Sequence, residues 1–418
     1  MKNSCRCLDR VSVPVLSIAL TALWLACPIA AAETKAGWSS GIDVTVEGAA
    51  GLHGGAQHGS TLHGMALNRV EWQQAENADR TVNLHAFVSA LTLTGRGPSE
   101  KFLGDFLAAS NIEGYASTRL YSWWVEAARG DWSVRAGALL ADEEFTGTSA
   151  GGNLFNSAFG WPAFISANTL NTGPAFYVAA PGIRLERKFG EQGAWRVGVY
   201  DGDTFDSPTG DTDATRHGMH YGLGGAQGFF AISEAEVTPA ESANRFKVGA
   251  WAHTAKFADV RDDESGRRLA ATGGAARLHR GNYGAYGVIE RTLAGKSGEP
   301  GYVTSYVRGG LAPTDRNALG YAVDAGIAAT GLLPTRAKDI TALGVVHASF
   351  SPRFAANARA TDPASPTPDF EQVVELNHTI SLGEHFSVQP DLQYIRHPGG
   401  SAAQRGALAL LLRVKATY

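Results

Sequence analysis

Alternation of apolar and polar residues with a period of two is the feature that most restricts how this chain can fold. The segments Trp132–Leu140, Gly182–Phe189 and Trp195–Asp201 all show it. Such alternation is typical of a strand whose two faces meet different surroundings. Similar segments of about ten residues recur along the chain, separated by turns. No Pro/Ser-rich linker divides them. The sequence therefore predicts an all-β protein with one large domain.

The first 32 residues have the composition of an export signal. A basic region precedes an apolar stretch, and Ala30–Ala32 supplies the small residues that signal peptidase needs before Glu33. We therefore expect a signal peptide at 1–32 and one domain at 33–418, with an uncleaved membrane helix as the alternative. The three cysteines of the chain all lie in the predicted signal. The mature protein then has no thiol for a disulfide, a zinc site or a nucleophile.

Charge and hydropathy exclude two further classes of protein. The chain has a formal net charge of −4, and no basic patch of the kind that binds nucleic acid is evident. After the predicted signal, no run approaches the roughly 18 apolar residues of a membrane-spanning helix. A membrane protein with this sequence must therefore cross the bilayer with strands, and a sheet can do so only when it is closed.

The alternating segments predict a transmembrane antiparallel β-barrel of sixteen strands. A seventeenth candidate, His217–Leu223, would give an odd number and opposed strand directions, whereas bacterial single-chain barrels have even numbers. We therefore interpret His217–Leu223 as a loop. The predicted strands lie near residues 41–51, 61–72, 80–95, 117–128, 131–140, 181–189, 194–201, 227–237, 245–257, 279–291, 300–311, 318–330, 337–350, 370–382, 385–396 and 404–418.

Turn lengths orient this barrel, because such proteins keep short turns in the periplasm and long loops outside. The tight turns are Arg129–Gly130, Gly190–Gly193 and Gly383–Glu384. The long loops are Ala141–Ala180, Ala258–Leu278 and Ser351–Asp369. A barrel of this size is too wide for side chains to fill, so Ala141–Ala180 is predicted to fold inward and constrict the bore.

Five segments in fixed order resemble the carbohydrate-selective porins of the OprB family. They are ASNIEGYASTRLYSWWVE (Ala109–Glu126), VRAGALLADEEF (Val134–Phe145), NLFNSAFGWPAF (Asn153–Phe164), AAPGIRLE (Ala179–Glu186) and GVYDGD (Gly198–Asp203). The resemblance implies an outer-membrane porin that lets glucose-type monosaccharides diffuse passively into the periplasm, with no cofactor and no chemistry. It also implies outer-membrane lipid and lipopolysaccharide as surroundings, and a homotrimer as one possible assembly.

Sugars are neutral and carry many hydroxyl groups and apolar faces, so a sugar pore needs donors, acceptors and aromatic rings. The candidate donors are Arg135, Arg184 and Arg196. The candidate acceptors are Glu126, Asp142, Glu143, Glu144 and Glu186. The candidate rings are Trp161, Phe155 and Phe164, with Tyr200 also on the predicted lumen face.

Each of these assignments has an alternative. Any charged residue in the set could be an ordinary water-facing position of the barrel wall, and Trp161 could equally be a packing residue that pins the loop. The aromatic residues Trp123, Trp124, Trp132, Trp195 and Tyr418 are predicted to lie in the interfacial girdle. The acidic segment 201–213 hints at calcium, although Phe205 and Thr212 depart from an EF-type loop.

Two other functions fit parts of the pattern. A non-selective porin would use the same barrel, and sugar block of the ionic current would distinguish the two. An exported soluble all-β polysaccharide hydrolase would lack a closed barrel, and no pair of carboxylates in the sequence stands out as its acid and nucleophile.

Overall fold

The computed structural model describes residues 36–75, 82–207, 210–212, 215–240 and 242–418. Within these residues, sixteen antiparallel strands form one closed barrel in which neighbours in sequence are neighbours in space. The strands are β1 (Gly37–His53), β2 (Ser60–Gln73), β3 (Asn83–Thr94), β4 (Ser117–Arg129), β5 (Trp132–Leu139), β6 (Ala180–Lys188), β7 (Gly193–Asp201), β8 (Phe229–Val237), β9 (Asn244–Asp263), β10 (Ala276–Ala294), β11 (Val303–Leu311), β12 (Leu319–Thr330), β13 (Ile340–Phe350), β14 (Phe370–Leu382), β15 (Phe386–Arg396) and β16 (Ala407–Thr417). The predicted signal peptide lies outside the described residues and stays a prediction.

The barrel closes between its first and last strands. Asp43 of β1 pairs with Thr417 of β16, and Ile42 and Tyr418 exchange two backbone hydrogen bonds of 2.8 and 2.9 Å. An even number of antiparallel strands brings both ends of the sheet to the same rim, so this pairing needs no crossover. Closure leaves no edge strand with unpaired backbone groups.

The two faces of the barrel differ as the period-two pattern predicts. On β11, Val307 is 52% exposed, whereas its neighbours Tyr306 and Arg308 are 3% and 0% exposed. Successive strand residues point to opposite faces, so Val307 points outward and the other two point inward. The apolar outer face and the polar inner face are those of a sheet that separates lipid from water.

The helices within the described residues are short and lie between strands. They are α1 (Ser157–Gly160), α2 (Ala163–Ser166), α3 (Leu269–Thr272) and α4 (Pro352–Thr361), with a π-turn at Ser99–Leu103 and 3-10 turns at Ala141–Glu143, Gly151–Asn153, Leu170–Thr172, Gly225–Gln227 and Pro398–Gly400. No helix of the described chain is long and apolar enough to cross a bilayer.

The structure confirms the sixteen-stranded barrel and the loop assignment of His217–Leu223. The predicted long loop Ala258–Leu278 is shorter than expected, because β9 continues to Asp263 and β10 begins at Ala276. Charged pairs stabilise this extension of the hairpin: the Asp259 carboxylate lies 2.9 Å from His279 Nε2 and 3.1 Å from Arg353 Nη2. Loop composition alone did not reveal these partners.

Candidate functional site

The loop between β5 and β6 (residues 140–179, here the long loop) is attached to the inward face of strands on the opposite side of the barrel. Arg308 of β11 is fully buried and donates hydrogen bonds of 2.8 to 3.2 Å to the carbonyl oxygens of Thr146 and Ala158–Gly160. Its Nε lies 3.0 Å from Asp324 of β12. One guanidinium therefore satisfies four carbonyls of the loop, three of them in the short helix α1, whose last carbonyls have no partner within the helix.

Inward-facing carboxylates bind the N–H groups of the same loop. Glu375 of β14 accepts hydrogen bonds from the amides of Phe155 at 2.6 Å and Asn156 at 2.9 Å. Glu234 of β8 accepts one from the amide of Thr146 at 2.8 Å. Because a buried backbone group without a partner is costly, these carboxylates fix where the loop can lie.

Aromatic residues of the long loop pack between the loop and the wall. The rings of Phe164 and Tyr286 stack with centroids 5.8 Å apart, and the Arg413 guanidinium lies 3.7 Å from the centroid of Phe155. The Trp161 indole donates a 2.8 Å hydrogen bond to a carbonyl of the same loop. Phe155 and Phe164 were expected to offer faces to sugar, but both are fully buried. Trp161 is also buried, in agreement with its alternative role as a packing residue.

Two more candidates from the sequence are buried instead of lining an open surface: Tyr200 packs within the barrel wall, and Asp142 binds a backbone amide of the long loop. Tyr200 is 1% exposed and packs 6.2 Å from Phe230, centroid to centroid. The Asp142 carboxylate accepts a 2.9 Å hydrogen bond from the amide of Phe176, and burial raises the pKa of Asp142 to about 6. Sequence reasoning placed both on a wet surface because it could not see what the loop covers.

The remaining candidates form two ion-pair clusters on neighbouring strands. In the first, Arg135 of β5 is directly opposite Arg184 of β6, a pairing that repels. Glu126 lies 3.0 Å from Arg135 and 2.6 Å from Arg184. Glu144 from the long loop lies 2.5 and 3.2 Å from the same two arginines. Two carboxylates therefore bridge two guanidinium groups.

The second cluster begins one strand further on. Arg196 of β7 lies 2.5 Å from Glu186 and 3.3 Å from Glu236 of β8. Glu236 in turn lies 3.4 Å from Arg245 and 3.9 Å from Lys247, both on β9. The chain of contacts thus alternates in sign across four strands, β6 to β9.

These clusters line one open cavity of about 610 Å³. Six basic and six acidic side chains contribute to it, so the lining has no formal net charge. The lining residues are Glu126, Arg135, Glu143, Glu144, Gly147, Thr148, Ser149, Arg184, Glu186, Lys188, Arg196, Glu236, Arg245, Lys247 and Glu290.

Sequence reasoning missed Lys188, Glu236, Arg245, Lys247 and Glu290. A signal was available, because each occupies an inward or rim position in the same alternation that identified Arg196. That they line the same cavity depends on strand register, however, and on which segment of the loop reaches the wall.

Trp124 also lies where the sequence did not place it. The prediction that it joins the interfacial girdle is wrong, since it points inward beneath Arg135, whose guanidinium is 3.8 Å from the ring centroid. Phe87 stacks on Trp124 at 5.2 Å. Trp123 is exposed on the outer face, and consecutive residues of a strand point to opposite faces.

The carboxylates of the acidic segment 201–213, which hinted at calcium, accept hydrogen bonds from loop residues. Asp203 accepts hydrogen bonds from Asn171 and from the amides of Phe205 and Ser207, and Asp206 accepts from Gly222 and Gln227. Among the described residues, no three His, Cys, Asp or Glu side chains are grouped to hold a metal ion.

Comparison with known proteins agrees with this architecture. The carbohydrate-selective porin, OprB family matches residues 68–418. Porin B of Pseudomonas aeruginosa is 22% identical over 253 residues, which cover 56% of this chain and 54% of the relative. The chain therefore spans about half the length of the curated relative that it matches.

Solved structures show the same fold. The high-pH structure of Pseudomonas putida OprB superposes with a TM-score of 0.81 and 19% identity, covering 91% of this chain and 94% of that one. The outer-membrane channel DcaP of Acinetobacter baumannii gives a TM-score of 0.56 and 11% identity, covering 93% and 100%.

The family match extends over most of the chain and includes the strands whose side chains line the charged cavity. Together with the closed barrel and its apolar outer face, it locates this protein in the outer membrane. The chain belongs to the carbohydrate-selective porin, OprB family.

Proposed function

We propose that this protein is a passive channel through which small sugars of the glucose type diffuse into the periplasm. The observation that carries the proposal is the cavity of about 610 Å³ with equal numbers of basic and acidic side chains. Its volume is within the roughly 300–1,000 Å³ of small-molecule sites. A lining without net charge does not favour ions of either sign, whereas a neutral polyhydroxylated solute can use both donors and acceptors.

The ion pairs keep sugar binding weak. The guanidinium groups of Arg135 and Arg184 already bind Glu126 and Glu144. A sugar hydroxyl therefore has to share guanidinium N–H donors with these carboxylates. Weak binding suits a channel, because a solute held tightly would block the flux. The charged candidates thus act as hydrogen-bonding positions along the path.

The long loop sets the width of the path in this proposal. Its Glu144 reaches Arg135 of β5, while its other side is held by Arg308 and Glu375 of the opposite wall. A segment tied at both sides divides the bore, and the solute passes on the side of the charged cavity. A soluble hydrolase does not agree with a closed barrel of this kind.

Single-channel recording in planar bilayers tests the proposal. Glucose is added to the wild-type protein and to Arg135→Ala, with Arg187→Ala as the matched control, because Arg187 lies on the outer face over Trp132. We expect glucose to reduce the ionic current of the wild type and of Arg187→Ala, and to do so at higher concentration for Arg135→Ala. Arg135→Ala also leaves Glu126 and Glu144 less neutralised, so its reversal potential should shift toward cation selectivity.

If no sugar reduces the ionic current of the wild-type protein, the protein is a general porin instead. Liposome swelling with sugars of increasing size then gives the size limit. The homotrimer stays a prediction, which native mass spectrometry in detergent can test.

A further inference from the structure

A trough crosses the outer face of the barrel from β10 to β14. It has a volume of about 440 Å³. Strand register explains its shape: Val307 is opposite Ala325, and Ser305 is opposite Ile327. Ala325 and Ser305 are the small side chains, and larger apolar ones surround them. The surrounding residues are Ile289, Val307, Ile327, Leu343, Val345 and Val374.

One end of this trough carries a positive charge. Arg291 lines it and is opposite Ser305 in the β10–β11 register. Arg291 is exposed, and its guanidinium has no ion pair, hydrogen bond or ring contact with the described residues. Arg187, the outward arginine of β6, differs in that its guanidinium lies over the rings of Trp132 and Phe189.

Arg291 lies near the rim that the short turns predict to be periplasmic. It is three residues from Ala294, where β10 ends before the turn to β11, and so roughly 10 Å from that end at ~3.4 Å per residue. A charged side chain at this depth costs little free energy, because an arginine can extend its guanidinium to the membrane–water interface. The trough therefore runs from the headgroup level of the inner leaflet into the hydrocarbon.

We propose that this trough is a binding site for one anionic phospholipid of the periplasmic leaflet. An acyl chain lies over Ala325 between the larger apolar side chains, and the phosphate accepts hydrogen bonds from Arg291 and the Ser305 hydroxyl. The apolar part of the trough matches the acyl chain of such a lipid, and the unpaired Arg291 at one end matches its phosphate. The site does not depend on the proposed sugar path, which lies inside the barrel.

Native mass spectrometry of the full protein in detergent, titrated with phosphatidylglycerol or phosphatidylcholine, tests this site. We expect one phosphatidylglycerol per chain to bind more tightly than phosphatidylcholine. Arg291→Ala should weaken that preference about fivefold, as for one basic residue at an anionic surface, and Arg187→Ala should leave it unchanged. Ala325→Leu fills the trough at a lipid-facing position, so it should fold and lose the bound lipid.

Three results would overturn the proposal. The first is equal affinity for the two lipids in the wild type, and the second is equal weakening by Arg291→Ala and Arg187→Ala. The third is a dimer or larger assembly that Ala325→Leu dissociates, which would make a second copy of the chain the occupant.

Discussion

Replacement of Arg308 by leucine removes the group that ties the long loop to the far wall. The Arg308 guanidinium binds four loop carbonyls and Asp324, and both ionic partners are buried. Arg308→Leu leaves Asp324 as an unpaired charge without solvent. Breaking a buried pair in this way costs about 3–5 kcal/mol.

The double variant separates the ion pair from the loop contacts. Arg308→Leu/Asp324→Leu removes both charges, and replacing a buried pair by apolar residues is often close to neutral. The four carbonyls still lose their donor in the double variant. We therefore expect its stability to lie between those of the wild type and Arg308→Leu.

Equilibrium guanidinium unfolding of the barrel in detergent measures both variants, with Arg187→Ala as a control on the outer face. Single-channel recording of the same proteins reports on the loop, and Arg308→Leu should show larger and noisier currents. The reasoning fails if Arg308→Leu is no less stable than Arg187→Ala. It fails equally if Arg308→Leu/Asp324→Leu is less stable than both the wild type and Arg308→Leu.

Two further predictions concern the loops. Phe164→Ala should lower the free energy of unfolding by about 3–5 kcal/mol, measured by the same titration, because the fully buried ring loses its stacking on Tyr286; a loss as small as that of an exposed position would contradict this packing. In the β3–β4 loop, burial raises the pKa of Asp105 to about 6, and burial together with the Asp105 charge raises the pKa of Glu113 from 4.5 to about 8. The folded loop then binds more protons than the unfolded loop, so the stabilisation is fully present below pH 3.8, the ordinary pKa of Asp105, and is lost as the pH rises to about 8. After correction for the intrinsic pH dependence of amide exchange, the protection of residues 95–116 should therefore fall between those limits. Glu113→Gln should reduce the pH dependence of that protection.

The strands could be predicted because their signal is local. A strand with lipid on one side and water on the other must alternate, and each turn shows its own Gly or charged residues. The parity of the strand number then removed His217–Leu223. The girdle assignment of Trp124 is wrong because it rests on the composition of the Trp pair, whereas alternation from the inward Glu126 places Trp124 inward.

The site was harder to predict, because its residues are brought together from distant positions. Arg196 contacts Glu236, and Glu236 contacts Arg245, through strand register. Glu144 reaches Arg135 only because the long loop folds back. Phe155 and Phe164 could not be recognised as packing residues, since an aromatic ring in a loop has the same composition whether it stacks on a solute or on the wall.

The sequence by itself determined the closed antiparallel barrel and its strand number, since alternation and turn length are properties of neighbouring residues. Tertiary structure alone decided the ion-pair partners, the burial of the loop rings and the attachment of the loop to Arg308. The attachment of the loop to the far wall depends on contacts across the bore between residues more than 100 positions apart. The ion pairs depend on strand register and on the course of the loop, so no local pattern specifies either feature.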